Sequence, residues 1–221
     1  MKRLNDLYPG IGTDFVIRNI RCNSSEVEKD DLFVCTIDSK LDRHNCIEEA
    51  IRNGASTIIV SRDVVDPRVA IIKVPDTNRE FPYLCQKFYD FPDKKLKMIG
   101  VVGTDGKTST GSIIQSLLGI SKTGFIGTMG RSCAAFNDNK TTRNIDAARL
   151  YDGLEEFVKF GCGYAVVESS NSDIASLNLV ALNYDMLVFT NLANEYFNYT
   201  HPYGQWKDTG IRLEGDAVQS L

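Results

Sequence analysis

The sequence predicts an α/β fold in two domains, on three observations. Short, nearly continuous apolar runs recur along the chain, stretches with helical apolar spacing alternate with them, and a Gly-Lys-Thr turn lies where one run passes into a helix. Apolar runs of this kind belong to strands buried on both faces, in a mostly parallel sheet covered by helices.

A small N-terminal α/β domain is expected over residues 1–93. Asp31 to Ile37 reads as a buried strand. Cys46 to Asn53 reads as a helix, with Cys46, Ile47, Ala50 and Ile51 at helical spacing and Gly54 as its stop. Thr57 to Val60 and Val69 to Val74 are two further strands, separated by Asp66-Pro67, and a helix is expected from about Pro82 to Phe88. Phe91 to Lys95 reads as a charged linker.

The second domain, 97–221, alternates strand and helix around a P-loop-type sheet. Lys97 to Val102 is the strand entering the turn, and Thr108 to Leu118 the helix leaving it. A strand at Gly124 to Gly127 is followed by a polar loop, Asn137 to Arg143. Ala147 to Phe160 has helical spacing at Leu150, Leu154, Phe157 and Val158, and Tyr164 to Glu168 and Asp185 to Thr190 complete the strands. There is no internal repeat and no low-complexity tract.

Bulk properties narrow the function. No apolar run reaches the roughly 18 to 20 residues that span a bilayer, and the polar start lacks the apolar core of a signal peptide. A net charge of −4 argues against nucleic acid as the main partner, while leaving room for a local basic pocket. Six cysteines without a Cys-x-x-Cys pair read as reduced, mostly buried thiols of a cytoplasmic protein with no membrane association. Two histidines, His44 and His201, give little support to a zinc cluster or a Ser-His-Asp triad.

The turn Gly103-Thr104-Asp105-Gly106-Lys107-Thr108 has the composition of a phosphate-binding loop. Its glycines let backbone N–H groups approach phosphate oxygens, and the helix N-terminus adds partial positive charge. The lysine neutralises oxygens, and the Thr hydroxyl helps hold Mg²⁺. The strict pattern would place another glycine at Val101, so this is a shorter variant.

Gly100 to Thr110 resembles the ATP-binding loop of the Mur ligases, closest to those of MurE type. Further matches follow in order. Asn23 to Val34, including Ser24, is similar to an Asp-Ser-Arg…Gly-Asp-x-Phe-Val motif; Asp42-Arg43-His44 to Asp-Gly-His; and Ala50 to Ala55 to Ala-x-x-x-Gly-Ala. Thr141-Thr142 is similar to Thr-Thr-Pro, Glu168 with Ser170 to Glu-x-Ser-Ser-His, and Thr190-Asn191-Leu192 to Thr-Asn-Leu.

The resemblance implies an ATP-dependent ligase that adds an amino acid to a UDP-N-acetylmuramoyl-dipeptide precursor of peptidoglycan. ATP phosphorylates a carboxylate and an amine displaces the acyl phosphate, chemistry of positioning and charge neutralisation. It further implies that Lys107 and Glu168 are catalytic and that Gly103, Thr104, Asp105, Gly106, Lys107, Thr108, Ser109 and Asn191 contact the nucleotide. Thr108 and Glu168 would hold Mg²⁺, and Ser24, Thr141, Thr142 and Ser170 would contact the muramoyl substrate.

The chain also departs from the family. A second metal site, normally a histidine and a carbamylated lysine, falls on Tyr196 and Gly210. Ser25 and Asn178 stand where the family has arginines suited to bidentate anion pairing, Arg43 and Arg143 replace a glycine and a proline of its substrate motifs, and Asn171-Ser172 replaces the end of its Ser-Ser-His. With its end at Leu221 the sequence is expected to hold only part of the central domain and no C-terminal ligase domain, so that a protein partner could cover the exposed sheet. Three readings stand: a truncated or degenerate MurE-type ligase, a non-catalytic module binding nucleotide or muramoyl precursor, and a folylpolyglutamate-synthase-like ligase. Ser24 and the Asp42-x-His44 region disfavour the last.

Overall fold

In a computed structural model, residues 1–12, 14–138, 145–170 and 177–191 are described. The fold is α/β, in two compact units: one built from Met1–Phe91 with two short later stretches, the other from the remainder.

The first unit opens with β1 (Lys2–Arg3), α1 (Leu4–Leu7) and β2 (Val16–Ile17), where β1 and β2 pair antiparallel. Its main sheet is parallel, in the order β3 (Ile20–Arg21), β4 (Leu32–Val34), β5 (Thr57–Val60) and β6 (Ala70–Lys73). Leu32 lies level with Ile20 on one side and Thr57 on the other, and Thr57 with Ala70. All four residues of β5 are buried, as a strand covered on both faces requires. The apolar face of α2 (Ile47–Asn53) closes over Phe33, Cys35, Ile58 and Val60 through Ala50, Ile47 and Ile51. Gly54 ends α2 in the left-handed region, with its N–H returned to Ala50 and Ile51 carbonyls.

The next helix differs from the expectation at its start. α3 spans Thr77–Phe88 and carries Pro82 inside it. Asp76 starts the helix upstream by accepting the N–H groups of Asn78 and Arg79 at 2.9 and 3.1 Å, so the proline falls in the second turn rather than the first.

Among the described residues, the second unit holds a six-stranded sheet in the order β10-β9-β8-β11-β7-β12. Its strands are β7 (Lys97–Val102), β8 (Thr123–Gly127), β9 (Gly130–Cys133), β10 (Phe136–Asp138), β11 (Tyr164–Glu168) and β12 (Met186–Phe189). β8, β11, β7 and β12 run parallel, while β9 and β10 add an antiparallel hairpin at one edge. The hairpin was not foreseen, and Asn137 and Asp138, expected in a polar loop, belong to β10. α4 (Lys107–Leu118) packs Ile114 and Leu118 against Ile99, Val101, Phe125 and Val166. α5 (Ala147–Lys159) buries Leu150, Tyr151, Leu154 and Phe157.

Because four strands run parallel, their carboxyl ends collect on one edge: Val102, Gly127, Glu168 and Phe189. β7 lies between β11 and β12, where the strand order reverses, and open α/β sheets bind ligands at such a point. The six cysteines are free thiols, five of them buried. Burial pushes the Cys35 thiol up to about 12, which keeps it protonated and inert. Among the described residues no helix is long and apolar enough to cross a membrane.

Candidate functional site

Between β7 and α4 the backbone turns through Gly103 and Gly106, both at positive φ, 135° and 78°. The two glycines are needed for different reasons. A Cβ on Gly103 would overlap Thr190 Oγ1 and come within 2.8 Å of the Asn191 carbonyl. A Cβ on Gly106 would meet nothing within 4 Å, so only its left-handed backbone excludes other residues.

Gly106 is the N-cap of α4 and offers no side-chain cap, and the first turn contains no acidic residue. A helix usually neutralises its first amides and its positive end with its own side chains. This one places Lys107 there instead, which concentrates positive charge and suits an incoming anion. Thr110 is the first residue whose N–H returns to the helix, to the Gly106 carbonyl at 2.9 Å. The Lys107 ammonium lies over the loop, donating to the carbonyls of Gly103 and Thr104 at 2.9 and 2.8 Å. Val101 is a residue of β7 with Glu168 and Val188 level with it, so the chain does not leave the sheet until two residues later than in the longer loop pattern.

Across the sheet edge, Glu168 closes β11 and is only 5% exposed. Thr108 Oγ1 lies 3.0 and 2.9 Å from its two carboxylate oxygens. Thr128, just past β8, donates its N–H to Glu168 Oε2 at 3.2 Å and places its hydroxyl 3.3 Å from the same oxygen. The two threonine hydroxyls are themselves 3.2 Å apart. A side chain on Gly127 would collide with this carboxylate. The partners of Glu168 are thus hydroxyls and an amide, without a cation among the described residues. A buried carboxylate in that setting is costly unless positive charge joins it. Its oxygens and the Thr108 hydroxyl are hard donors close enough to share one ion, which fits Mg²⁺. No group of three or more His, Cys, Asp or Glu side chains suited to a metal occurs among the described residues.

Thr190 and Asn191 follow β12 and face the loop. Thr190 Oγ1 donates to the Asp105 carbonyl at 2.7 Å. The Asn191 side chain accepts the Asp105 N–H at 3.0 Å and donates to the Asp105 carbonyl at 3.0 Å, while its own carbonyl accepts the Thr104 N–H at 2.9 Å. Ser109 is exposed in the first turn of α4, and Ser170 is half-buried two residues beyond β11. Ser24 belongs to the first unit and donates to Glu49 Oε2 at 2.6 Å. Thr141, Thr142, Tyr196 and Gly210 lie outside the described residues.

The structure therefore brings together the loop, Thr108, Glu168 and Asn191. Sequence reasoning missed Thr128 and Gly127 as part of this group. Their one available signal was their place at the carboxyl end of a strand.

In the first unit, Asp42, His44 and Ser61 form a chain that resembles a hydrolytic triad without its chemistry. His44 Nδ1 lies 2.6 Å from Asp42 Oδ1, and its Nε2 accepts the Ser61 backbone N–H at 3.0 Å. With Nε2 already accepting that N–H, its lone pair is not available to activate the Ser61 hydroxyl. Burial raises the Asp42 carboxyl, but bonds from the His44 backbone and ring, with Arg62 nearby, outweigh it and hold the carboxyl below the usual range. Arg43, at a position where the sequence motif expects glycine, turns to Asp38 at 2.9 Å.

Comparison with known proteins gives one family profile and three similar proteins. A profile of the family described as Mur ligase middle domain matches residues 101–204. A UDP-N-acetylmuramoyl-L-alanyl-D-glutamate--2,6-diaminopimelate ligase of Clostridium perfringens is 31% identical over 205 residues, covering 89% of this chain and 41% of that protein. Among solved structures, a ligase of the same description superposes with a TM-score of 0.73 at 21% identity over 94% of this chain and 44% of its own, a likeness of fold. The MurF ligase of Thermotoga maritima, solved in complex with ADP, gives 0.53 at 25% identity over 87% of this chain and 42% of its own. The chain spans about two-fifths of the length of the curated relatives it matches, 41% and 43% for two of them.

Proposed function

Since the chain belongs to the Mur ligase family, we propose that its second unit binds ATP with Mg²⁺ and that its first unit takes a UDP-muramoyl peptide of the kind MurE-type ligases use. One observation carries the nucleotide reading. The Lys107 ammonium and an α4 first turn without acidic residues stand at the same sheet edge as Glu168, which Thr108 joins at 2.9 Å. The relative solved with ADP lends support.

In this reading the first-turn amides of α4 and Lys107 hold phosphoryl oxygens. Thr108 and Glu168 hold the metal, and Thr128 keeps the Glu168 carboxylate turned toward Thr108. When bound, Mg²⁺ would neutralise charge between phosphoryl oxygens. Ser24 in the first unit, with Thr141, Thr142 and Ser170 later in the chain, is assigned to the muramoyl substrate.

Binding and turnover are separate in this proposal. The positions matched to the second metal site carry Tyr196 and Gly210, neither of which supplies the nitrogen or carbamate oxygen expected there. The chain by itself is proposed to bind nucleotide and precursor without ligating. A phosphate-release assay with ATP, Mg²⁺, a UDP-muramoyl-dipeptide and a mixture of amino acids tests this. No release above background is expected, and amino-acid-dependent release would contradict it.

A further inference from the structure

Four hydrogen bonds join the segment after β12 to the middle of the phosphate loop. The Thr190 hydroxyl and the Asn191 side-chain amide both donate to the Asp105 carbonyl, at 2.7 and 3.0 Å. The Asp105 N–H goes to Asn191 Oδ1 at 3.0 Å and the Thr104 N–H to the Asn191 carbonyl at 2.9 Å. One asparagine side chain thus satisfies both backbone polar groups of a single residue, which only one orientation of the amide permits. Thr190 is itself anchored to β7, its N–H bonded to the Val102 carbonyl at 2.9 Å.

This arrangement has a consequence for the ligand. In a phosphate loop the peptide N–H groups that point into the turn are the ones that meet an anion. Here the N–H groups of Thr104 and Asp105 point away from it, into Asn191. Those of Gly106, Lys107, Thr108 and Ser109, at the N-cap and first turn of α4, have no acceptor within the helix. Because Val101 and Val102 are held inside β7, the loop proper begins only at Gly103.

We propose that Thr190 and Asn191 are positioning residues, a latch that clamps the Thr104–Asp105 peptides and aims the amides of residues 106–109 at the phosphate. They act through the loop and do not touch the nucleotide. The assignment rests on the nucleotide reading above, and it revises the expectation that Thr104, Asp105 and Asn191 contact the ligand.

Two measurements on the full 221-residue chain test it. The first is amide hydrogen exchange by NMR without nucleotide. The Asp105 amide is expected to be protected in the wild type and to exchange faster in Asn191→Ala. The second is calorimetric titration with Mg-ADP. Asn191→Ala and Thr190→Val each lose bonds to Asp105 and are expected to bind about tenfold more weakly, while Thr190→Ser, which keeps the hydroxyl, stays near wild type. Adding Mg-ADP to the wild type should protect the amides of residues 106–109 and leave Thr104 and Asp105 unchanged. Equal affinity in all variants, or an Asp105 exchange rate indifferent to Asn191→Ala, would overturn the latch. Were wild type to bind no Mg-ADP, the nucleotide reading would fail, and the latch with it as a device for ligand binding. Exchange at Asp105 would still show whether the clamp exists.

Discussion

Thr108 and Glu168, sixty residues apart in sequence, meet at 2.9 Å across the carboxyl edge of one sheet. The hydroxyl comes from the first turn of the helix that leaves the loop, and the carboxylate from the end of the neighbouring strand. Register explains the meeting: Glu168 lies level with Val101, two residues before Gly103.

Replacing that carboxylate separates charge from shape. Glu168→Gln keeps the volume and an oxygen for the Thr128 N–H, but removes the charge that would hold a metal. Nucleotide affinity of the wild type is expected to rise when Mg²⁺ is added, and that gain should shrink by about tenfold in the variant. Folding stability without metal should be unchanged or higher, since a buried carboxylate no longer needs a counter-charge. An undiminished Mg²⁺ effect in calorimetric titrations would show that Glu168 does not hold the ion.

The two loop glycines should respond unequally to a methyl group. Gly103→Ala meets both a positive φ of 135° and overlap with Thr190, and is expected to cost roughly 2 kcal/mol or more. Gly106→Ala has open space and only its φ of 78° to bear, a cost of about 1 kcal/mol. Denaturant unfolding of the two variants checks the order, and equal losses would contradict it.

Acid should weaken the fold through carboxylates held below their ordinary range. For Asp185 the Lys97 ammonium is the first cause and the Met98 amide the second. For Asp42, hydrogen bonds from His44 and the charge of Arg62 overcome the opposing effect of burial. Each carboxyl binds its proton more weakly folded than unfolded. The stability it contributes is therefore complete above about pH 4, near the ordinary aspartate value, and is lost as pH falls through the folded value. Asp42→Asn should be less stable than wild type at pH 7 and lose less on going from about pH 5 to pH 3. Parallel acid titration curves for the two proteins would rule this out.

Much of this fold is legible in the sequence, for identifiable reasons. β5 carries Ile58-Ile59-Val60 and β11 Ala165-Val166-Val167 as unbroken apolar runs because both faces are covered, and such runs stand out. Two-residue strands such as β1, β2 and β3 leave no periodic trace. The β9–β10 hairpin hides because Gly130, Arg131 and Ser132 are not an apolar run. α3 begins before its proline because one aspartate, Asp76, caps it. At the site, Lys107 and Thr108 announce themselves by type and spacing. Thr128 does not, since its role comes from where β8 ends relative to Glu168, and pairing of distant strands is not written locally. Asn191 is visible as a motif residue, but its partner, the backbone of Asp105, emerges only from the fold.

The claim on which the rest depends is that the loop binds a nucleotide through Lys107. Calorimetric titration of Mg-ADP into wild type and Lys107→Ala tests it most directly. The account predicts saturable binding to the wild type and a loss of at least about tenfold in affinity for the variant, as expected on removing a charge-assisted contact to phosphate. Equal affinity for the two proteins, or no binding to either, would contradict it.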